Sequence, residues 1–453
     1  MLKKPIFTSL AIICVVMAFM VIYATMFANV NGIETFLNRK DENTVPVSST
    51  GTVKPVQTPE TTQDGFTAIP VETAEPTLDT KPEITYTDIK ISSVGDFLIH
   101  ENVLKAQYNE ESKVYDFGSI FSQVAPILSA ADYAVGSLEV PTAGEAEKYS
   151  GFPQFNSPDT LIDGLKNTGL KLLVAAGTHA FDKSESGLKR TISTVSSKGM
   201  QITGTKANAN DKSYIIADVK GVKIGIINYT AASRRDNDKI SLNSNTLTAE
   251  QEKLINIFEY SKLDVFYNGL KDQIGKMKSD GAEVFVCYLR WGTDYTIKEN
   301  ENQRKIAKEL CNLGIDIIFG NGPHMIQPFE TFKSDSGVHT MLCMYSLGNF
   351  ISNQRREEIS HKSGHTEDGI IYTVNIRKYS DGTVKVGKIE YVATWVSLEK
   401  NSQNGKQSYT ILPFNEANNA IEAAKESFKR TDNIVSENIN KYNSALTIDD
   451  SVV

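Results

Sequence analysis

From residue 89 onward, short apolar runs rich in β-branched residues alternate with segments whose apolar positions recur at helical spacing. No other feature of the chain narrows its architecture as much. Strands are read at 89–94, 132–138, 170–175, 222–229, 283–289, 315–319 and 339–346. Helices with end signals fall between them. Ser157-Pro158 supplies an N-cap and a first-turn proline, with Ile162 and Leu165 on one face and Gly169 just past the end. Residues 184–197 place Leu188, Ile192 and Val195 on one stripe and stop at Gly199, and residues 303–313 carry Ile306, Leu310 and Leu313 before Gly314. Strands alternating with helices predict an α/β layered domain. After Pro413 the pattern becomes polar and helical, which predicts a peripheral helix or a loose tail over 414–453.

The start of the chain is built differently. Residues 5–30 contain no charge and follow Lys3 and Lys4. About 20 apolar residues span a bilayer, and the lysines keep the stub 1–4 in the cytoplasm, so the rest is exported. The rival reading is a cleaved signal peptide, whose apolar region usually runs roughly 7–15 residues. The run here is longer and lacks a small-x-small site, and Cys14 is preceded by bulky Ile12 and Ile13. An uncleaved anchor is therefore expected, with the N-terminus cytoplasmic and the globular part extracellular at the cell membrane. Residues 31–88 read as a disordered linker: Thr, Pro, Glu, Val and Ser dominate, and Pro46, Pro55, Pro59, Pro70, Pro76 and Pro82 keep the stretch extended. The folded domain is read at 89–413.

Charge and cysteine content exclude several function classes. With 47 basic and 55 acidic residues the formal charge is −8, which argues against a nucleic-acid binder that neutralises phosphates. Four cysteines, one of them in the apolar run, cannot staple a scaffold, and no CxxC pair is present for a thiolate zinc site. Cys287, Cys311 and Cys343 are read as buried free thiols.

In α/β folds the functional groups gather where strands end at their carboxyl edge. Those positions form an ordered series here: Gly95-Asp96 with His100 beyond, Glu139, Gly177-Thr178-His179 with Asp182, Arg290-Trp291-Gly292 with Asp294, Gly320-Asn321-Gly322-Pro323-His324, and Ser346-Leu347-Gly348-Asn349-Phe350. Carboxylates and imidazoles converging from several strands suit a divalent metal that polarises a phosphoryl oxygen or activates water. Taken singly, each is an ordinary loop residue. His339 reads as structural, His361 and His365 as solvated, and Arg355 and Arg356 either as contacts for an anionic polymer or as a plain exposed pair.

The series also carries a resemblance. The stretches SVGDFLIHENVL, ADYAVGSLEVP, LLVAAGTHAFD, KIGIINYT, YLRWGTDYT, GIDIIFGNGPHMIQPFE and MYSLGNFISNQR, in this order, resemble the CapA family of capsule and poly-γ-glutamate biosynthesis proteins, within the calcineurin-like metallophosphatase superfamily. The resemblance covers roughly residues 89 to 396. It implies a two-layer β core flanked by helices, in an exported, membrane-anchored protein. It further implies metal ligands at Asp96, Glu139, His179 and His324 for Mn, Zn or Fe, with His179 and Asp96 in catalytic roles. Arg290, Tyr295, Asn321 and Asn349 are expected to meet substrate, and Trp291 either to stack on it or to pack in the core.

Three motifs depart from the family pattern, with Thr178, Arg290 and Gly322 standing where relatives have an amide and two imidazoles. Where relatives read Asn-Asn-His, His-Trp-Gly and His-Pro-His, this chain has Gly177-Thr178-His179, Arg290-Trp291-Gly292 and Gly322-Pro323-His324. Glycine offers no side-chain ligand and arginine no lone pair. Arg290 is then expected either to replace the metal charge by pairing with Asp96 and Glu139, which would place it among the catalytic groups, or to point to solvent beside an eroded site. Three functions stay open: a metal-dependent hydrolase or transferase, a binder of an anionic surface polymer such as polyglutamate or of membrane-bound synthase subunits, and a wall-associated scaffold.

Overall fold

The computed structural model describes residues 84–235 and 238–446. The anchor at 5–30 and nearly all of the linker at 31–88 lie outside these residues, and among the described helices none is long and apolar enough to cross a membrane.

Two large sheets form the centre. The first contains β1 (Tyr86–Phe97), β2 (Tyr133–Leu138), β3 (Leu170–Val174) and β4 (Gln201–Thr203), all parallel. The second is built on β5 (Tyr214–Val219), β6 (Val222–Arg235), β7 (Val284–Arg290), β8 (Ile317–Asn321), β9 (Phe329–Lys333) and β10 (Thr340–Met344). Within it β6, β7, β8 and β10 run parallel, while β5 pairs antiparallel with β6 and β9 with β10. The chain then returns to the first sheet. There β11 (Asn349–Ile351) lies parallel to the end of β1, and β12 (Asp368–Tyr379), β13 (Val384–Lys400) and β14 (Gln407–Pro413) extend it antiparallel.

Side-chain alternation shows why the sheets stack. Val284, Val286 and Tyr288 of β7 face the same core as Ile89 and Ile91 of β1, while Cys287 and Leu289 face outward onto helices. A strand buried on both faces reads as a continuous apolar run, as these did. The outer face of the first sheet is covered by α1 (Glu101–Gln107), α2 (Thr160–Asn167) and α3 (Ser184–Ser197), and that of the second by α4 (Leu263–Ser279) and α5 (Glu301–Leu313). This is the expected two-layer β core flanked by helices.

Two expectations need correction. Ser157 does not cap α2: the helix begins at Thr160, and the Ser157 hydroxyl is buried without a partner. The C-terminal helix is present but not peripheral: α6 (Glu422–Ala445) inserts Val435 and Ile439 into the core between the sheets. Asn438 donates to the Phe329 carbonyl of the second sheet, and Asn443 to the Ile389 carbonyl of the first. The helix therefore closes one side of the sandwich. Cys287, Cys311 and Cys343 are free and buried, as expected.

Candidate functional site

The parallel strands deliver their carboxyl ends to one rim. Asp96 sits at the end of β1, in register with Asn349 of β11. The approach is so close that a Cβ added at Gly95 would lie 2.0 Å from the Gly348 carbonyl oxygen, so only glycine fits there. Arg290 ends β7 directly opposite Asn321, which ends β8. Glu139, His179 and His324 follow β2, β3 and β8 within a few residues.

Glu139 is the junction of the two sheets. Its Oε1 accepts from the Thr178 amide at 2.9 Å and from Arg290 Nε at 2.5 Å, with the carboxylate almost completely buried. Burial works against the Arg290 charge, but Glu139, Asp96 and Asp294 more than offset it, and the guanidinium is held in its charged form. Neither Asp96 oxygen makes a well-formed hydrogen bond. Burial, and then the Glu139 charge, push the Asp96 carboxyl up to about 7, although Arg290 and, more weakly, Ser137 and the Gly322 amide pull it back. The expected Arg290 pairing is thus present with Glu139, while Asp96 feels the guanidinium through charge alone.

Two imidazoles are each fixed by one nitrogen. His179 Nδ1 lies 2.7 Å from Asp182 Oδ2, an atom that also accepts from the Phe155 amide at 2.8 Å. His324 Nδ1–H donates to Asn349 Oδ1 at 3.1 Å; the Asn349 amide nitrogen is committed to Ser352, Gln354 and the Thr366 carbonyl, which sets its orientation. Burial, then the Arg290 charge, lower the His324 pKa to about 3, and burial lowers that of His100 to about 4. Both rings are neutral at physiological pH. With Nδ1–H given to Asn349, the neutral His324 ring keeps a lone pair on Nε2, suited to receive a proton or a donor. His324 also feels the charges of Arg290, His100 and His179, so these groups share one locale.

Not every predicted residue joins them. Trp291 is packed in the core of the second sheet, its indole N–H given to the Tyr345 carbonyl, and it presents no polar atom to a ligand. Tyr295 stands at the rim, stacked on exposed His361 at 4.3 Å and tilted against His324 at 5.6 Å. Asn321 is buried with its Oδ1 unpartnered. Arg355 and Arg356 are not a plain exposed pair. Both reach the buried Glu367, and Arg355 also donates to the Val396 carbonyl. Sequence reasoning missed Asn243, whose amide donates to Asp182 Oδ1 at 2.7 Å. Its signal was the polar Asn243-Ser244 pair, which turns the hairpin 239–246 at positive φ.

Residues 90–354 match the family model of bacterial capsule synthesis protein PGA_cap. The chain belongs to this family. It is 26% identical over 329 residues to the PGA biosynthesis protein CapA of Bacillus subtilis, covering 71% of this chain and 77% of that one. It is 25% identical over 278 residues to the capsule biosynthesis protein CapA of Bacillus anthracis, covering 59% of this chain and 60% of the relative. Among solved structures, the calcineurin-like phosphoesterase YfkN from Bacillus subtilis aligns at 14% identity and a TM-score of 0.36, over 80% of this chain and all of that one, a likeness too loose to carry weight.

Within this family fold the three departures form one packed unit. A Cβ at Gly177 would lie 2.1 Å from Glu139 Oε2, in the space the carboxylate fills. A Cβ at Gly322, where φ is +113, would meet the Trp291 carbonyl at 2.7 Å and the Arg290 Cγ at 3.3 Å. Both glycines make room for the Arg290–Glu139 pair. As arranged, Glu139 is committed to Arg290, which brings a positive charge into the place where a metal would need donors, and among the described residues no group of three His, Cys, Asp or Glu stands close together.

Proposed function

We propose that this protein works outside the membrane, anchored by residues 5–30 and displayed on the 31–88 linker, in making or exporting a capsule or poly-γ-glutamate polymer. Its site is metal-poor and binds an anionic surface polymer or a membrane-bound synthase subunit instead of cutting one. The observation that carries this reading is the Arg290–Glu139 pair, a built-in cation where the family pattern would place a metal ligand. Membership of the capsule synthesis family supports the process. The test is metal content of the full chain purified without chelator and challenged with manganese and zinc, alongside retention of polyglutamate. The reading expects no tightly held ion, and retention that survives chelator and weakens with salt. One or two bound ions per chain would overturn it.

A second reading, a hydrolase acting on a surface polymer, is favoured by the His179–Asp182 pair, which has the geometry of an oriented proton carrier. Manganese-dependent hydrolysis of a generic phosphodiester, lost in His179→Gln, would select it.

A further inference from the structure

Phe152 is 70% exposed, yet the segment that carries it is pinned from several sides. Ser150 and Asn156 exchange both backbone hydrogen bonds, and the Phe155 amide is bound to Asp182. Asn243 donates to the Pro153 carbonyl at 2.6 Å as well as to Asp182. Packing does not explain a large apolar ring held in solvent on a fixed loop. The Phe152 ring lies 6.4 Å from Phe155, which stands edge-on to His179 at 4.6 Å and to His100 at 5.3 Å. A second aromatic face, the Tyr295–His361 stack, stands beside His324. Asn353 and Gln354 join the two regions, the first donating to His100 and the second to the Tyr295 hydroxyl.

The imidazoles of His179 and His324 stand against these aromatic groups. His179 and His324 have Nδ1 engaged, which leaves Nε2. Both Asp96 oxygens and Asn321 Oδ1 lack a donor. One guanidinium, already paired, stands against the buried carboxylates of Asp96, Glu139 and Asp182. A polyacid would bring further carboxylates into this environment. A sugar ring brings hydroxyl donors at its edge and an apolar face that lies flat on an aromatic ring. We propose that the mouth of the site takes a saccharide unit of a surface glycan, with Phe152 and Tyr295 as its stacking faces and the free imidazole nitrogens as acceptors for its hydroxyls. This rests on the polymer-binding reading and narrows its anionic polymer to an acidic glycan, of which this mouth takes a sugar ring and not an acidic group.

The test is calorimetric titration of the full chain in detergent micelles with an N-acetylglucosamine oligomer and, separately, with γ-linked polyglutamate. The oligomer is expected to bind, and Phe152→Ala or Tyr295→Ala to weaken it by about tenfold or more, as truncating an aromatic anchor does. Phe152→Ala should leave thermal unfolding unchanged, since the ring is mostly in solvent. Binding of polyglutamate without the oligomer would overturn the saccharide and keep the polymer reading. Binding of neither would overturn both. Oligomer binding indifferent to both aromatic variants would overturn the placement, and loss of a synthase subunit from Phe152→Ala with no saccharide binding would reassign the ring to a protein contact.

Discussion

Arg290 Nε donates to Oε1 of Glu139 across the boundary between the two sheets, since Arg290 closes a strand of one and Glu139 follows a strand of the other. The bond fastens the layers at the rim where the site lies. Arg290→Met would leave Glu139 buried beside Asp96 with no compensating charge, and removing one partner of such a pair costs about 3–5 kcal/mol. Arg290→Met combined with Glu139→Gln should recover most of that loss. Urea unfolding of the two single variants and the double variant measures the coupling, and a loss below about 1 kcal/mol in Arg290→Met, the level of a surface pair, would show that the pair is solvated.

Asp96 gives a stability dependence on pH with a definite sign. Its carboxyl is raised from the ordinary carboxylate range to about 7, chiefly by burial and then by the Glu139 charge. An acid whose folded pKa lies above its unfolded value binds its proton more tightly when folded. Its contribution is therefore complete below about 4 and is lost as pH rises through about 7. Unfolding midpoints of the wild type should fall relative to those of Asp96→Asn over this window. Parallel curves would mean that Asp96 titrates normally.

How much of this was legible depended on what kind of contact was involved. The strands β1, β7 and β8 were visible because both of their faces are buried, so their apolar runs are unbroken. The series from Asp96 to Asn349 was visible because parallel strands bring every carboxyl end to one rim. The Ser157 cap failed because tertiary packing buried the serine before the helix began. The role of Gly177 and Gly322 could not be read, since what they accommodate, the Glu139 carboxylate and the Arg290 stem, comes from other strands. Nor could the burial of Arg355, whose partner Glu367 becomes a neighbour only when β12 and β13 fold against it.

That burial turns Arg355 into a stability determinant. Its guanidinium donates to the Val396 carbonyl at 2.6 Å, reaches Glu367 at 3.4 Å and lies over Trp395. Arg355→Ala removes these contacts and leaves a buried acceptor behind, at roughly 1–3 kcal/mol for the unsatisfied group. Polymer retention and its salt dependence should be unaffected. A weaker salt dependence with unchanged stability would return Arg355 to the binding surface.

Asp182 is the group on which the mouth of the site turns, because one carboxylate accepts from His179, from the Phe155 amide and from Asn243. Asp182→Ala should destabilise by roughly 1–3 kcal/mol for each buried donor left without a partner. It should also release both His179 and the loop carrying Phe152. His179→Gln leaves the loop bonds intact, so the two variants separate orientation of the imidazole from placement of the aromatic wall. In the binding reading, Asp182→Ala weakens ligand more than His179→Gln does, because the second removes one acceptor and leaves the aromatic wall in place. In the hydrolytic reading, both lower turnover by about 10²–10⁴, the usual contribution of a positioned proton carrier. Nitrogen-detected NMR of His179 checks the premise directly: a ring with Nδ1 protonated and Nε2 bare in the wild type should become a tautomer mixture in Asp182→Ala. An unchanged tautomer would show that Asp182 does not set the proton, and the role of the carboxylate would reduce to pinning the loop.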